Sequence, residues 1–410
     1  MYQLLDVLVV WCPSGQFCSG LSDSQLAKVD VNDPTKQKIF KFETTEKLLF
    51  PREEKDFPNG IFKGDFKGKF SLSLNLSTIA LTLALTLYNP IPEPAPLNLN
   101  LLPDYEQFKN DTTKVQPHTL DFDYNGKMWV ALELPGVMIQ LDVDKLSEKE
   151  QVLSQDGEAY TLITKSDLVS VCIVNLAAAG VPGGWLKTRP HGFCFGARDE
   201  GQISSDYIWF TGKLTNTVGR VRIVDSECGK HKAGELEHFM LPTLGAVPIY
   251  LMLGPDLGPD KPQDVWGTCL TNNNVFRVTT RTRNGLLVGH VTEIPITPKA
   301  ANRKPIVIKP QVINDKPMPY MWFSCEAGHS VARIDIDEVQ ELVEAKREAQ
   351  KRGKLPAGDD GRCMCSKSLY SAGTFNKAVL EFDVPMTQQN MKLAGLAFDK
   401  DGNLWTQSCD

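Results

Sequence analysis

Apolar and polar positions alternate with a period of two along much of the chain, in short runs broken by turn residues. The clearest stretch is Arg189-Pro190-His191-Gly192-Phe193-Cys194-Phe195, followed by Tyr207-Ile208-Trp209-Phe210-Thr211-Gly212 and Val218-Gly219-Arg220-Val221-Arg222-Ile223. It predicts three short strands: an apolar one opening at Pro-His-Gly, one carrying aromatics, and one alternating apolar with basic. Fragments of the same pattern recur. Six of the seven tryptophans share one local context: Trp11, Trp129, Trp209, Trp266, Trp322 and Trp405. Five of them are followed by a third-strand pattern, as in Ile139-Gln140-Leu141-Asp142-Val143 and Ala332-Arg333-Ile334-Asp335-Ile336.

Successive repeat tryptophans are 118, 80, 57, 56 and 83 residues apart. Four-stranded units repeating at about 40–50 residues, with insertions, predict a β-propeller, because one such sheet cannot bury both faces alone. The expected fold is all-β: a six- or seven-bladed β-propeller forming a single domain over 1–410. The longest gap leaves room for a further blade opening at Pro58-Asn59-Gly60-Ile61. Residues 1–45 supply second, third and fourth strands, and 391–410 supply a first and a second. Either the two ends pair and close the ring, or the chain is truncated.

Two segments depart from the repeat. In 68–100 leucine alternates with Ser, Thr, Asn or Ala and a proline-rich run follows. It reads as a low-complexity insertion, and its removal is expected to leave folding intact. Polar residues at every second position disfavour a membrane helix. Residues 337–390 read as a helix and loop inserted within a blade, the helix running near 335–353 with Val339, Leu342, Val343 and Lys346 on one face.

Composition changes little: 42% hydrophobic, 23% charged and a net charge of −6 describe an ordinary globular chain with no basic block for nucleic acid. The expected protein is a monomer acting on small hydrophobic molecules, with no nucleic-acid or membrane partner. Ten cysteines leave disulfides and free thiols both open; Cys363-Met364-Cys365 has no second pair to complete a zinc site. No export signal is visible, yet the cysteines and the sequons at Asn75 and Asn110 suit a secretory or extracellular setting.

In a propeller the first and second strands of each blade form a hairpin, so the start of one and the end of the other share one end of the channel. That logic gathers His118, Glu133, His191, Glu326 and Gln407 at one mouth, with Gln116 and Lys213 beside them. The catalytic candidates are His118, His191 and Glu133; Gln116, Lys213, Glu326 and Gln407 are substrate-binding candidates. Such a ring could perform acid–base chemistry or hold a metal. Each histidine could equally cap a turn.

His191-Gly192-Phe193-Cys194-Phe195, with Ile208-Trp209-Phe210-Thr211 and Asn216-Thr217-Val218-Gly219-Arg220-Val221, resembles the repeat of the streptogramin lyases, propeller enzymes that open a cyclic depsipeptide lactone by elimination. The resemblance implies a histidine base at His118 or His191 and magnesium held by glutamates, Glu133 among them. Gln116 and Gly212 stand where those repeats place acids, so no metal or other cofactor is expected, with Mg2+ as the alternative. The chain is also similar to fungal propellers that act as cofactor-free hetero-Diels–Alderases. That likeness implies a pericyclase of secondary metabolism joining an o-quinone methide to a macrocyclic sesquiterpene. Three functions stay open: that pericyclase, a lyase or lactone-opening hydrolase using histidine and a divalent metal, and a non-enzymatic interaction propeller.

Overall fold

Four antiparallel sheets of four strands follow one another along the chain. Blade 1 comprises Pro117–Phe122, Met128–Leu132, Val137–Leu141 and Leu168–Ile173. Blade 2 comprises Pro190–Phe195, Tyr207–Gly212, Thr217–Arg222 and Leu236–Met240. Blade 3 comprises Pro248–Leu253, Val265–Cys269, Asn274–Val278 and Val291–Pro295. Blade 4 comprises Pro305–Ile313, Lys316–Cys325, Ser330–Asp335 and Val379–Asp383. After blade 4, a two-stranded sheet pairs Lys392–Phe398 with Leu404–Cys409. This computed structural model describes residues 25–29, 37–43, most of 115–296, 303–354, 378–385 and 392–409.

The first strands of successive blades pack against one another in chain order, which makes them the innermost strands of a propeller. Each tryptophan lies on its blade's second strand and packs on the next blade. Trp129 joins Phe193, Phe195 and Ile208. Trp209 joins Leu251 and Val265, and Trp266 joins Ile308, Met321 and Phe323. Trp322 sits against Leu393 and Leu396. Trp405 differs from these: it is 66% exposed, because no described blade follows it. Trp11, the opening at 58–61, the insertion at 68–100, the sequons and Cys363–Cys365 lie outside the described residues.

A backbone device repeats at the start of each of the first four blades. A proline opens the innermost strand, where its missing N–H costs no ladder bond. The residue before it takes a positive φ: Gln116 47°, Arg189 53°, Val247 54° and Lys304 49°. Its carbonyl accepts a hydrogen bond from the residue just past the second strand: Glu133 N–H at 2.9 Å, Lys213 at 3.2 Å, Leu270 at 3.0 Å and Glu326 at 2.9 Å. The expected meeting of strand start and strand end is therefore built by the backbone itself.

Hydroxyl groups then tie blade to blade. Thr211 Oγ1 donates to the Ile249 carbonyl at 3.0 Å, and Thr268 Oγ1 donates to that of Ile306 at 2.6 Å. In blade 1 the matching position is Ala131, and Thr119 Oγ1 from the innermost strand serves instead, donating to the His191 carbonyl at 2.7 Å. Gly192 explains the Pro-His-Gly pattern: a Cβ there would lie 2.5 Å from the Ile249 carbonyl oxygen and 2.9 Å from Tyr250 Cα. Backbone cannot yield as a side chain can, so Gly192→Ala is expected to cost at least about 1–3 kcal/mol, read as a lowered denaturation midpoint.

At the N-terminal side, Gln25–Val29 and Gln37–Phe42 pair antiparallel, but the sheet continues differently from the expected blade. Gln37–Phe42 pairs in parallel with Ala159–Ile163, a strand from the excursion between the third and fourth strands of blade 1. Phe40 and Phe42 bury against Val130, Leu132 and Ile139, which docks this sheet on blade 1. Pairing between the two chain ends is not seen among the described residues. The inserted helix runs Ile336–Lys351 between the third and fourth strands of blade 4, capped by Asp335 and burying Val339, Leu342, Val343 and Lys346. Cys172 is disulfide-bonded; Cys194, Cys269 and Cys325 are free and buried.

Candidate functional site at one mouth of the channel

Each blade offers three equivalent positions at this mouth: the left-handed residue, the second residue after it, and the residue past the second strand. Blade 1 fills them with Gln116, His118 and Glu133, blade 2 with Arg189, His191 and Lys213. Blade 3 fills them with Val247, Ile249 and Leu270, and blade 4 with Lys304, Ile306 and Glu326. The polar chemistry is concentrated in blades 1 and 2, which are neighbours.

The two imidazoles stack, with ring centroids 3.4 Å apart and planes tilted by 37°. Glu133, 1% exposed, lies 3.7 Å from His118 Nε2 through its Oε2. Its Oε1 accepts a hydrogen bond from Lys213 Nζ at 3.0 Å and stands 3.8 Å from Arg189 Nη1. Arg189 is itself only 2% exposed. Tyr250 meets His191 edge-on at 5.3 Å. Thus the structure brings His118, Glu133, His191 and Lys213 together, with the Gln116 Oε1 buried and without a hydrogen-bond partner among the described residues. Glu326 is on blade 4, where it pairs with Lys392 at 3.3 Å. Gln407 was grouped with this ring, but the register corrects that. Gln407 pairs with Gly395 and stands two residues past Trp405, matching Ala131 and Thr211 rather than Glu133. Its side chain lies outside the described residues. Arg189 and Tyr250 escaped the sequence reading; the signal for Arg189 was its place directly before a strand-opening proline.

Burial sets the charges. It drives the His118 pKa down to about 4, with Lys213 adding to the effect and Glu133 opposing it. Burial, then His118 and Lys213, hold His191 well below the usual range. Both imidazoles are therefore neutral at pH 7. Burial alone would raise the Glu133 carboxyl, but Lys213, His118 and Arg189 outweigh it and keep the group ionised. Outside the site, burial likewise lowers His238 to about 4. In the unfolded chain such imidazoles take up a proton below about 6.5, whereas in the folded chain they refuse it until about 4. The unfolded state thus binds more protons in that window, so stability is expected to fall as pH drops from about 6.5 to 4. A melting temperature constant across this window would contradict it.

His118, Glu133 and His191 each offer one ligand atom within 4.8 Å of the others. Magnesium, however, asks for near-octahedral oxygen donors. Here one carboxylate accompanies two imidazoles, and two cations already hold that carboxylate. The blade-2 position equivalent to Glu133 holds Lys213, a cation rather than an oxygen ligand. The residues present do not fit magnesium.

No protein-family model matches this chain, and no curated protein matches it. Among solved structures it is similar to virginiamycin B lyase from Staphylococcus aureus, at 19% identity over 71% of this chain and 76% of that one, TM-score 0.36. It is also similar to the periplasmic gluconolactonase PpgL of Pseudomonas aeruginosa, at 12% identity over 73% and 66%, TM-score 0.38. The fold and site define a β-propeller with two histidines and a buried glutamate gathered at one end of its innermost strands. The class rests on this chain's own strand order; likenesses at those scores carry nothing about activity.

Proposed function

We propose that this propeller is a metal-independent lyase that breaks a carbon–oxygen bond of an ester or lactone by elimination. The observation that carries the reading is the stacked pair of neutral histidines beside the Glu133–Lys213 ion pair. An unprotonated imidazole can accept a proton at pH 7, burial making it a weaker base than a free histidine, and it is not an acid. One of the pair removes a proton from the carbon next to the C–O carbon. Those electrons form the C=C bond, and the C–O bond breaks. With no protonated imidazole to serve the leaving group, that group must depart as an anion. A carboxylate does so readily, and Lys213 is placed to meet it. Glu133 keeps Lys213 in place and favours the imidazolium formed in the step.

The pericyclase reading shares the proton removal but must also expel water, which needs an acid. Tyr250, beside His191, is the observation in its favour; burial, then Glu133 and Glu326, hold its proton tightly, so this reading ranks second. The test is incubation with a streptogramin B depsipeptide and with simple aryl and alkyl lactones, followed by mass spectrometry. Elimination leaves the mass of an opened lactone unchanged, whereas hydrolysis adds one water. Turnover is expected to survive EDTA. Loss with EDTA and rescue by magnesium would overturn the metal-independent mechanism, and no turnover of any lactone would overturn the elimination and leave the pericyclase and the interaction propeller.

A further inference from the structure

Blade 3 repeats the backbone geometry of the two histidine-bearing blades but fills all three mouth positions with apolar side chains. Val247, Leu270 and Tyr250 are partly buried and pack on a cluster containing Ile249 and Ile306. This apolar wall is continuous with the catalytic pair, since Tyr250 touches His191 edge-on and His191 stacks on His118. Val247 is the telling residue. It holds φ at 54°, a conformation that β-branched residues avoid, at a position where the other blades carry Gln116, Arg189 and Lys304. An apolar side chain is kept at the mouth against its own backbone preference, and such strain gathers at binding sites.

We infer that the mouth binds an amphipathic small molecule, with a carboxylate or carboxylate-forming head at Lys213 and an apolar tail along Val247 and Leu270. Charge favours the head: Arg189, Lys213 and Lys304 stand at mouth positions against the carboxylates of Glu133 and Glu326, and Glu326 is itself paired with Lys392. Between neutral histidines and net positive charge lies the polar end; blade 3 is the apolar end. The inference deepens the proposed elimination, on which it rests for the choice of head group.

The probes are decanoate and butyrate, product-like carboxylates that differ only in tail length, measured by isothermal titration calorimetry. Each methylene taken out of water tightens binding severalfold, so even a partly buried tail should make decanoate bind at least about tenfold tighter. Val247→Asn tests the wall without threatening the fold, because asparagine tolerates the left-handed conformation. Its melting temperature should be equal or higher, while the advantage of decanoate shrinks severalfold; Leu270→Asn should shrink it too. Lys213→Met should weaken both probes alike. Equal binding of the two probes, or an advantage unchanged in both blade-3 variants, would overturn the inference. His191→Ala should still bind decanoate, so failure of the elimination chemistry and failure of this binding mode are told apart.

Discussion

His191→Ala is expected to lower kcat/KM for lactone opening by about 10²- to 10⁴-fold, the range that a positioned acid–base group supplies. The imidazole is held at the mouth by several features at once: burial at 5% exposure, stacking on His118, and Gly192 lying against blade 3. Removing the ring leaves the Lys213–Glu133 pair intact, so KM should move less than kcat. His118→Ala should act in the same direction. Each substitution should reduce turnover far more than EDTA does. A His191→Ala enzyme within threefold of the parent would place the base elsewhere, and the stacked pair would then be structural.

The second large effect is on stability. Glu133→Ala is expected to destabilise the fold by about 3–5 kcal/mol, the cost of removing one member of a buried ion-pair cluster. Arg189, at 2% exposure, has little access to water, whereas Lys213, at 23%, can partly turn to solvent. Arg189 should therefore carry most of the penalty. The check is a double-mutant cycle by denaturant unfolding. Arg189→Met in the Glu133→Ala background should recover stability, and Lys213→Met should recover less. Additive effects would mean that the ion pairs are energetically idle.

Much of the fold was legible in the chain because the tryptophan context is a local pattern with a structural cause. Each ring fills the gap to the next blade, so spacing and neighbours are constrained together. The Asp-x-x-Gly turns are an equally local pattern. Asp123 Oδ1 accepts from the backbone of Asn125 and Lys127 while its Oδ2 accepts from Trp129 Nε1. Asp399 repeats this toward Asp401, Asn403 and Trp405. The candidate site was partly legible, since hairpin geometry alone brings His118 to Glu133. Gln407 falls outside the set because it stands two residues past its tryptophan, whereas Glu133, Lys213, Leu270 and Glu326 each stand four past theirs. Tyr250 and the parallel pairing of Gln37–Phe42 could not be read locally, since both depend on contacts between segments far apart in sequence.

The recurrence of one backbone frame around the axis also bears on how such a protein changes over time. Carbonyls of His191, Ile249 and Ile306 receive the same kind of hydroxyl tie from the preceding blade, whatever side chain the residue bears. Scaffold and payload are thereby uncoupled: a duplicated blade inherits a position already aimed at the channel, and one codon decides whether it holds an imidazole or an isoleucine. New specificities can then arise by refilling vacant positions rather than by rebuilding loops, and blades 3 and 4 are where such refilling has most room to act.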